Sequence, residues 1–270
     1  MAIRQFRAAA HSLTLAPLRR LAALGGVGLI AMVNMMSACG SDGTTVRPAN
    51  HGGTAAAGGT IEGRVTVRGP LPAVEPVRMG TDPTCVQVAG SATTNDEVIV
   101  AADGAVANAF VYIKSGLEPG HAFEVPTSAV VLDQRGCRFV PRVLGVRTHQ
   151  TLEVLNSDPT EHGVHGQPGP NGQFNRLQPV QGMRETRVFT VPEVMLRIKC
   201  DLHPWMSAFV GVLDHPFFAV TGTDGRFSFT GVPDGHYIVE MWHERFGKVT
   251  AEATIADQQF ARADFAIDSK

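Results

Sequence analysis

Lys199-Cys200-Asp201-Leu202-His203-Pro204-Trp205-Met206 is the stretch on which the reading of this chain turns. The run Val194 to Cys200 has strand character, and a short loop after it carries His203 and Met206. The spacing is C-x2-H-x2-M. A thiolate, an imidazole and a thioether this close together form a soft donor set, suited to copper in either oxidation state. Zinc ordinarily takes more Cys or His and has little use for Met. Taken singly, each residue has a plainer reading. A Cys in a strand is usually a small buried hydrophobe, a nearby Met is core filler, and a lone His is a surface or satisfied core residue. Their conjunction in one loop is what points to a metal.

One more strong donor has to come from a second strand. Asn156-Ser157-Asp158-Pro159-Thr160-Glu161-His162-Gly163-Val164-His165 follows the strand-like run Gln150 to Leu155 and offers two histidines. The paired pattern resembles the cupredoxin family, and most closely its short-loop members, the amicyanins. By that resemblance His162 is the first ligand, and Cys200, His203 and Met206 complete the set. His165 matches a histidine that is not a ligand in the family, and Pro204 fits the family's "HPxM" loop. Gly163 stands where the family usually has an Asn that ties the two ligand loops together. The resemblance covers residues 105–214. It implies a Greek-key β-sandwich, one mononuclear copper ion and outer-sphere electron transfer. It also implies a transient redox partner docking on a partly apolar patch around His203.

The rest of the chain fits an all-β protein. Its 270 residues are enough for two domains and a buried core. A formal net charge of -2 argues against nucleic acid as a partner. Short strand-like runs with turn punctuation start at Thr60 to Val67 and continue at Val98 to Val100, Ala109 to Ile113 and Ala129 to Leu132. Further runs are Thr186 to Thr190, Ala208 to Leu213, Phe217 to Thr221, Arg226 to Phe229, Tyr237 to Trp242, Val249 to Ile255 and Ala263 to Ile267. The segment Thr221-Gly222-Thr223-Asp224-Gly225-Arg226-Phe227, followed by Pro233-Asp234-Gly235-His236-Tyr237, resembles the carboxypeptidase regulatory-like, transthyretin-type sandwich. Gly222 replaces an Asp of that pattern. Residues 59–115 resemble the opening strands of the same fold, and 215–270 its close. The expected architecture is therefore a cupredoxin region over 116–214 combined with a transthyretin-like sandwich.

The first residues read as export machinery. Arg4, Arg7, Arg19 and Arg20 precede an apolar run from Leu21 to Met36, and Met36-Ser37-Ala38-Cys39 resembles a bacterial lipobox. That resemblance makes 1–38 a signal peptide and Cys39 a lipid acceptor. It places the protein in the bacterial cell envelope, on the periplasmic side of the inner or outer membrane. An ordinary signal peptide with an accidental Cys is the alternative. Residues 39–58 are rich in Gly, Ser, Thr and Ala and read as a tether. With Cys39 and Cys200 assigned, Cys85 and Cys137 are left, and export makes them a candidate disulfide. Two buried free thiols are the alternative.

These readings make the protein an electron carrier and not an enzyme, because a fully protein-ligated site leaves no place for substrate. A copper chaperone, store or sensor and a cell-surface carbohydrate- or protein-binding module stay open as other readings. His215, before Pro216, reads as a domain junction and His243 as a packing corner. Trp205 reads as a shield or docking aromatic beside the ligands.

Overall fold

The computed structural model describes residues 58–269, apart from 74, 81, 91–93 and 168. Strict alternation of apolar and polar residues makes a half-buried strand, and the chain begins with one: β1 (Gly59–Arg68) buries Ile61, Val65 and Val67 on one face. A short helix α1 (Pro83–Ala89) and β2 (Phe110–Ser115) follow. Next come β3 (Val130–Gln134), β4 (Phe139–Val140), β5 (Val143–Arg147), β6 (Thr151–Asn156) and β7 (His162–Gly166). They are followed by β8 (Phe174–Gln178), β9 (Arg184–Val188), β10 (Glu193–Lys199) and β11 (Ser207–Leu213). The chain closes with β12 (Phe218–Val220), β13 (Arg226–Val232), β14 (Gly235–His243), β15 (Gly247–Ile255), β16 (Phe260–Arg262) and β17 (Phe265–Asp268).

These strands form four sheets. One has the order β13-β1-β16, with β17 also pairing β1, and a second has the order β12-β2-β14-β15. Their inner faces share one core that includes Ile61, Val65, Val111, Phe227, Tyr237, Met241 and Phe265. The segments 59–115 and 215–270 therefore contribute strands to one sandwich. The other two sheets, β5-β11-β10-β7-β8 and β4-β3-β6-β9, enclose a second core with Leu132, Phe139, Leu152, Val164, Ile198 and Val210. Cys200 and Met206 belong to this second core.

Three details depart from the sequence expectations. Val98 to Val100 is not a strand, because the chain turns back at once and Val100 makes only an isolated bridge to Val106. The segment around Cys85 is helical: the Asp82 side chain caps α1 by accepting from the Thr84 and Cys85 amides, with Pro83 opening the first turn. Seven residues are too few to show helical periodicity in a sequence. Finally, Met79 and Cys85 pack in the second core, although they lie between strands of the first sandwich. The chain thus sends one excursion across to the second core before returning to β2.

The two sandwiches meet through a bare patch of sheet. Gly211 on β11 pairs with Gly145 on β5. A Cβ on Gly211 would lie 2.2 Å from Phe110 Cζ, and one on Gly145 would lie 2.2 Å from Phe218 Cε2. The two rings stack with centroids 5.7 Å apart, and Phe110, Tyr112, Val143 and Leu213 form a small core at the seam. The absence of side chains is what lets the rings sit against the backbone. Gly211→Val is expected to lower stability by about 1–3 kcal/mol through overpacking, read as a drop in the denaturant midpoint; an unchanged midpoint would show that the seam does not need the glycine.

Residues 1–57 lie outside the described residues, and with them the expected signal peptide, the expected acceptor Cys39 and nearly all of the expected tether.

Candidate metal centre

Strand β7 runs antiparallel to β10, with His165 opposite Lys199. That register sets the start of β7 beside the end of β10, so His162 and Gly163 arrive next to Cys200. The loop after β10 folds back on itself: Cys200 N–H donates to the Met206 carbonyl at 3.2 Å, and Met206 N–H donates to the His203 carbonyl at 2.9 Å. The loop is thereby closed, with His203 facing inward and Met206 buried.

His162, Cys200 and His203 form one buried group whose donor atoms lie within 4.8 Å of one another. His162 Nδ1 faces His203 Nδ1 at 3.0 Å. Cys200 Sγ lies 3.6 Å from His203 Nδ1 and accepts from the Gly163 amide at 3.2 Å. Met206 is 1% exposed and sits in the same core as Cys200. The sequence-predicted donors are thus a convergent trio plus a buried thioether at the end of the same loop.

The outer ring nitrogens decide what the inner ones can do. His162 Nε2 lies 2.9 Å from Asp158 Oδ2, and His203 Nε2 lies 3.0 Å from Asp82 Oδ2. A carboxylate only accepts, so both Nε2 atoms carry a proton and donate it. Both Nδ1 atoms are left as lone pairs, aimed at each other and at the Cys200 sulfur. Two imidazole lone pairs and a sulfur packed this closely, out of water, repel unless a cation lies among them. The residues present fit a soft metal ion, because they offer two neutral imidazoles and a thiolate in one place.

In the metal-free protein a proton is the available cation, and the titration shifts follow from that. Burial opposes charging His162, but Asp158 and Cys200 outweigh it and raise its pKa to about 8. Burial likewise opposes charging His203, and Cys200 and Asp82 raise it against the opposing charge of His162. Burial disfavours the Cys200 thiolate, yet hydrogen bonds from His162, His203 and the Gly163 amide bring the thiol down to about 6. The metal-free protein is therefore expected to show a thiolate ultraviolet absorbance step near pH 6, absent in Cys200→Ser. A step near the ordinary thiol value of 9.0 would contradict this.

The sequence reading left three contributions unassigned. Gly163 lacks the Asn side chain of the amicyanin pattern, but its own amide supplies a bond to Cys200 Sγ. Asp201 ties the two ligand-bearing stretches together, accepting from His165 Nδ1 at 2.7 Å, Asn175 Nδ2 at 2.9 Å and Lys199 Nζ at 2.8 Å. His165 is thus a structural tie, and Gln173 donates to its other nitrogen at 2.8 Å. Asp82 and Asp158 are the third contribution. Asp82-Pro83 carries a helix-start signal, but nothing local in the sequence couples it to His203.

Cys85 and Cys137 are joined as a disulfide with Cα atoms 5.4 Å apart. It lies against the site, with Cys85 Sγ 3.6 Å from His203 Nε2. Trp205 donates from Nε1 to the Cys137 carbonyl at 3.0 Å, and its ring lies 5.1 Å from that of His203. His215 and His243 are buried elsewhere and belong to no donor group among the described residues. His215 accepts from the Phe217 amide, and His243 accepts from the Arg245 amide and stacks on Phe246.

No family model and no curated protein matches the chain. Solved structures do match. A copper-containing nitrite reductase from Thermus scotoductus SA-01 matches at 22% identity and a TM-score of 0.29, over 37% of this chain and 26% of its own length. The chain thus spans about a quarter of that enzyme. The Cu(I) form of an amicyanin variant matches at 24% identity and a TM-score of 0.29, over 38% of this chain and 97% of its own. A second Cu(I) amicyanin variant matches at 22% identity and the same TM-score, over 39% and 98%. The donor geometry of His162, Cys200 and His203 fits a soft metal ion without these likenesses.

Proposed function

We propose that the protein is an envelope electron carrier for one mononuclear copper ion, which His162 Nδ1, His203 Nδ1 and Cys200 Sγ would hold, with the Met206 thioether as a further, weak donor. The observation that carries this is the pair of Nδ1 lone pairs facing each other beside the Cys200 sulfur. Bound there, copper supplies a one-electron Cu(II)/Cu(I) couple. The residues supply a rigid cage: β7, the closed loop and the Asp201 tie fix the donors, so little rearranges when the charge on the ion changes. Burial favours this reading over a copper chaperone. A chaperone gives up its metal by ligand exchange and needs an accessible donor, whereas His162, Cys200 and His203 are 0%, 2% and 4% exposed. Electron transfer needs no such access.

On this reading the redox partner docks beside the loop rather than on His203, whose outer edge is covered by Asp82 and Cys85. Leu202 and Leu177 are 47% and 57% exposed. Leu177 lies across β7 from the loop, within 4 Å of where a Gly163 Cβ would sit. Each offers an exposed apolar side chain near the candidate ligands for a transient contact. The N-terminal lipid on Cys39 would hold the protein on the periplasmic side of a membrane.

Copper-loaded protein is expected to show an intense visible thiolate-to-copper band and a reversible one-electron wave. Cys200→Ser abolishes the band and His162→Ala weakens copper binding strongly; tight Cu(I) binding with no reversible couple would instead identify a copper store. Replacing Leu177 and Leu202 by Lys is expected to slow electron self-exchange about tenfold or more through like-charge repulsion at the docking face, with the visible band unchanged. Equal self-exchange rates would place docking elsewhere.

A further inference from the structure

Both candidate copper histidines rest on carboxylates, and the two carboxylates are held in the same way. Asp158 takes His162 Nε2–H through Oδ2, and it also accepts from the Gly136 amide at 2.7 Å and the Cys137 amide at 2.8 Å. Asp82 takes His203 Nε2–H through Oδ2, while Oδ1 accepts from the Thr84 amide at 2.8 Å and the Cys85 amide at 3.2 Å. Each carboxylate is therefore fixed by the backbone of one half-cystine, and the disulfide joins the two half-cystines. The result is one covalent bracket behind the site, with a carboxylate at each end and a ligand imidazole on each carboxylate. A neutral acceptor would orient an imidazole equally well. An anion does something more.

We infer that Asp82 and Asp158 are positioning residues that hold both imidazoles with Nδ1 toward copper and bias the site toward the oxidised ion, and that the Cys85–Cys137 disulfide is the brace that keeps them in place. This rests on the copper reading above. Cu(II) carries one more positive charge than Cu(I), so a fixed anion nearby stabilises the oxidised ion more. Asp158 is 3% exposed, and its charge is poorly screened by solvent. A carboxylate accepting an imidazole N–H also makes the opposite nitrogen a stronger donor, which again favours Cu(II). Both effects act in the same direction at both histidines, the charge effect more strongly from Asp158 than from Asp82, whose side chain is 21% exposed. With two such ligands the site is built to be a comparatively strong reductant.

The test uses the full-length, copper-loaded protein with Asp82→Asn and Asp158→Asn, each of which keeps an acceptor oxygen and removes the charge. Each variant is expected to retain the visible band and to shift the Cu(II)/Cu(I) affinity ratio about tenfold toward Cu(I), a rise of about 59 mV in the one-electron midpoint potential. Unmoved potentials in both variants, with the wild-type band intact, would overturn the inference and leave the copper reading standing. Absence of the band in the wild-type protein would instead overturn the copper reading. Should a variant not fold, nitrogen-proton NMR of the wild-type Cu(I) form decides: two downfield, slowly exchanging Nε2–H signals are expected from His162 and His203, and fast exchange at both would overturn the inference.

Discussion

The close approach of two imidazole nitrogens to one sulfur is the interaction around which the second sandwich of this protein is arranged. Three electron-rich atoms buried among Leu, Val and Ile side chains cannot be stable by themselves. They require a cation, and they require a scaffold stiff enough to hold them while it is bound. Much of the second sandwich can be understood as that scaffold. Antiparallel pairing of β7 with β10 brings His162 to the loop, and the loop closes through its own backbone bonds. Asp201 pins the loop to β7 and β8 from the exposed side. On the buried side the disulfide and its two flanking carboxylates close the bracket.

The first sandwich has a different relation to the site. It contributes no donor, yet the excursion of the chain between β1 and β2 supplies Asp82, Cys85 and the α1 cap to the second core. The two sandwiches are therefore joined both by packing at the Gly145–Gly211 seam and by chain that passes from one to cover His203 of the other. That arrangement hides the outer edge of His203.

Much of this was legible from residue patterns. Alternation at Thr60 to Val67 and the turn signals at Asp224-Gly225 and Asp234-Gly235 announced β1 and the starts of β13 and β14, because side-chain period and turn conformation are local properties. The strands β4, β5, β7, β8 and β16 were not marked out. β7 reads His-Gly-Val-His-Gly, with little apolar content to show a period, and β4 has only two residues. The helix α1 was missed for its shortness.

The candidate site divides in the same way. The sequence by itself determined the donor types and their loop spacing: Cys200, His203 and Met206 are neighbours in the chain, so their convergence follows from a short turn. It also singled out His162, by resemblance, and left two spare cysteines. Only the tertiary structure decided which nitrogens face each other beside the Cys200 sulfur and which face carboxylates. His203 meets Asp82 across 121 residues of chain, and that contact exists because Met79 and Cys85 are apolar enough to bury themselves in a core distant in sequence. No local pattern encodes such a partner. It is set by which hydrophobic surface the excursion covers, and that is a property of the folded whole.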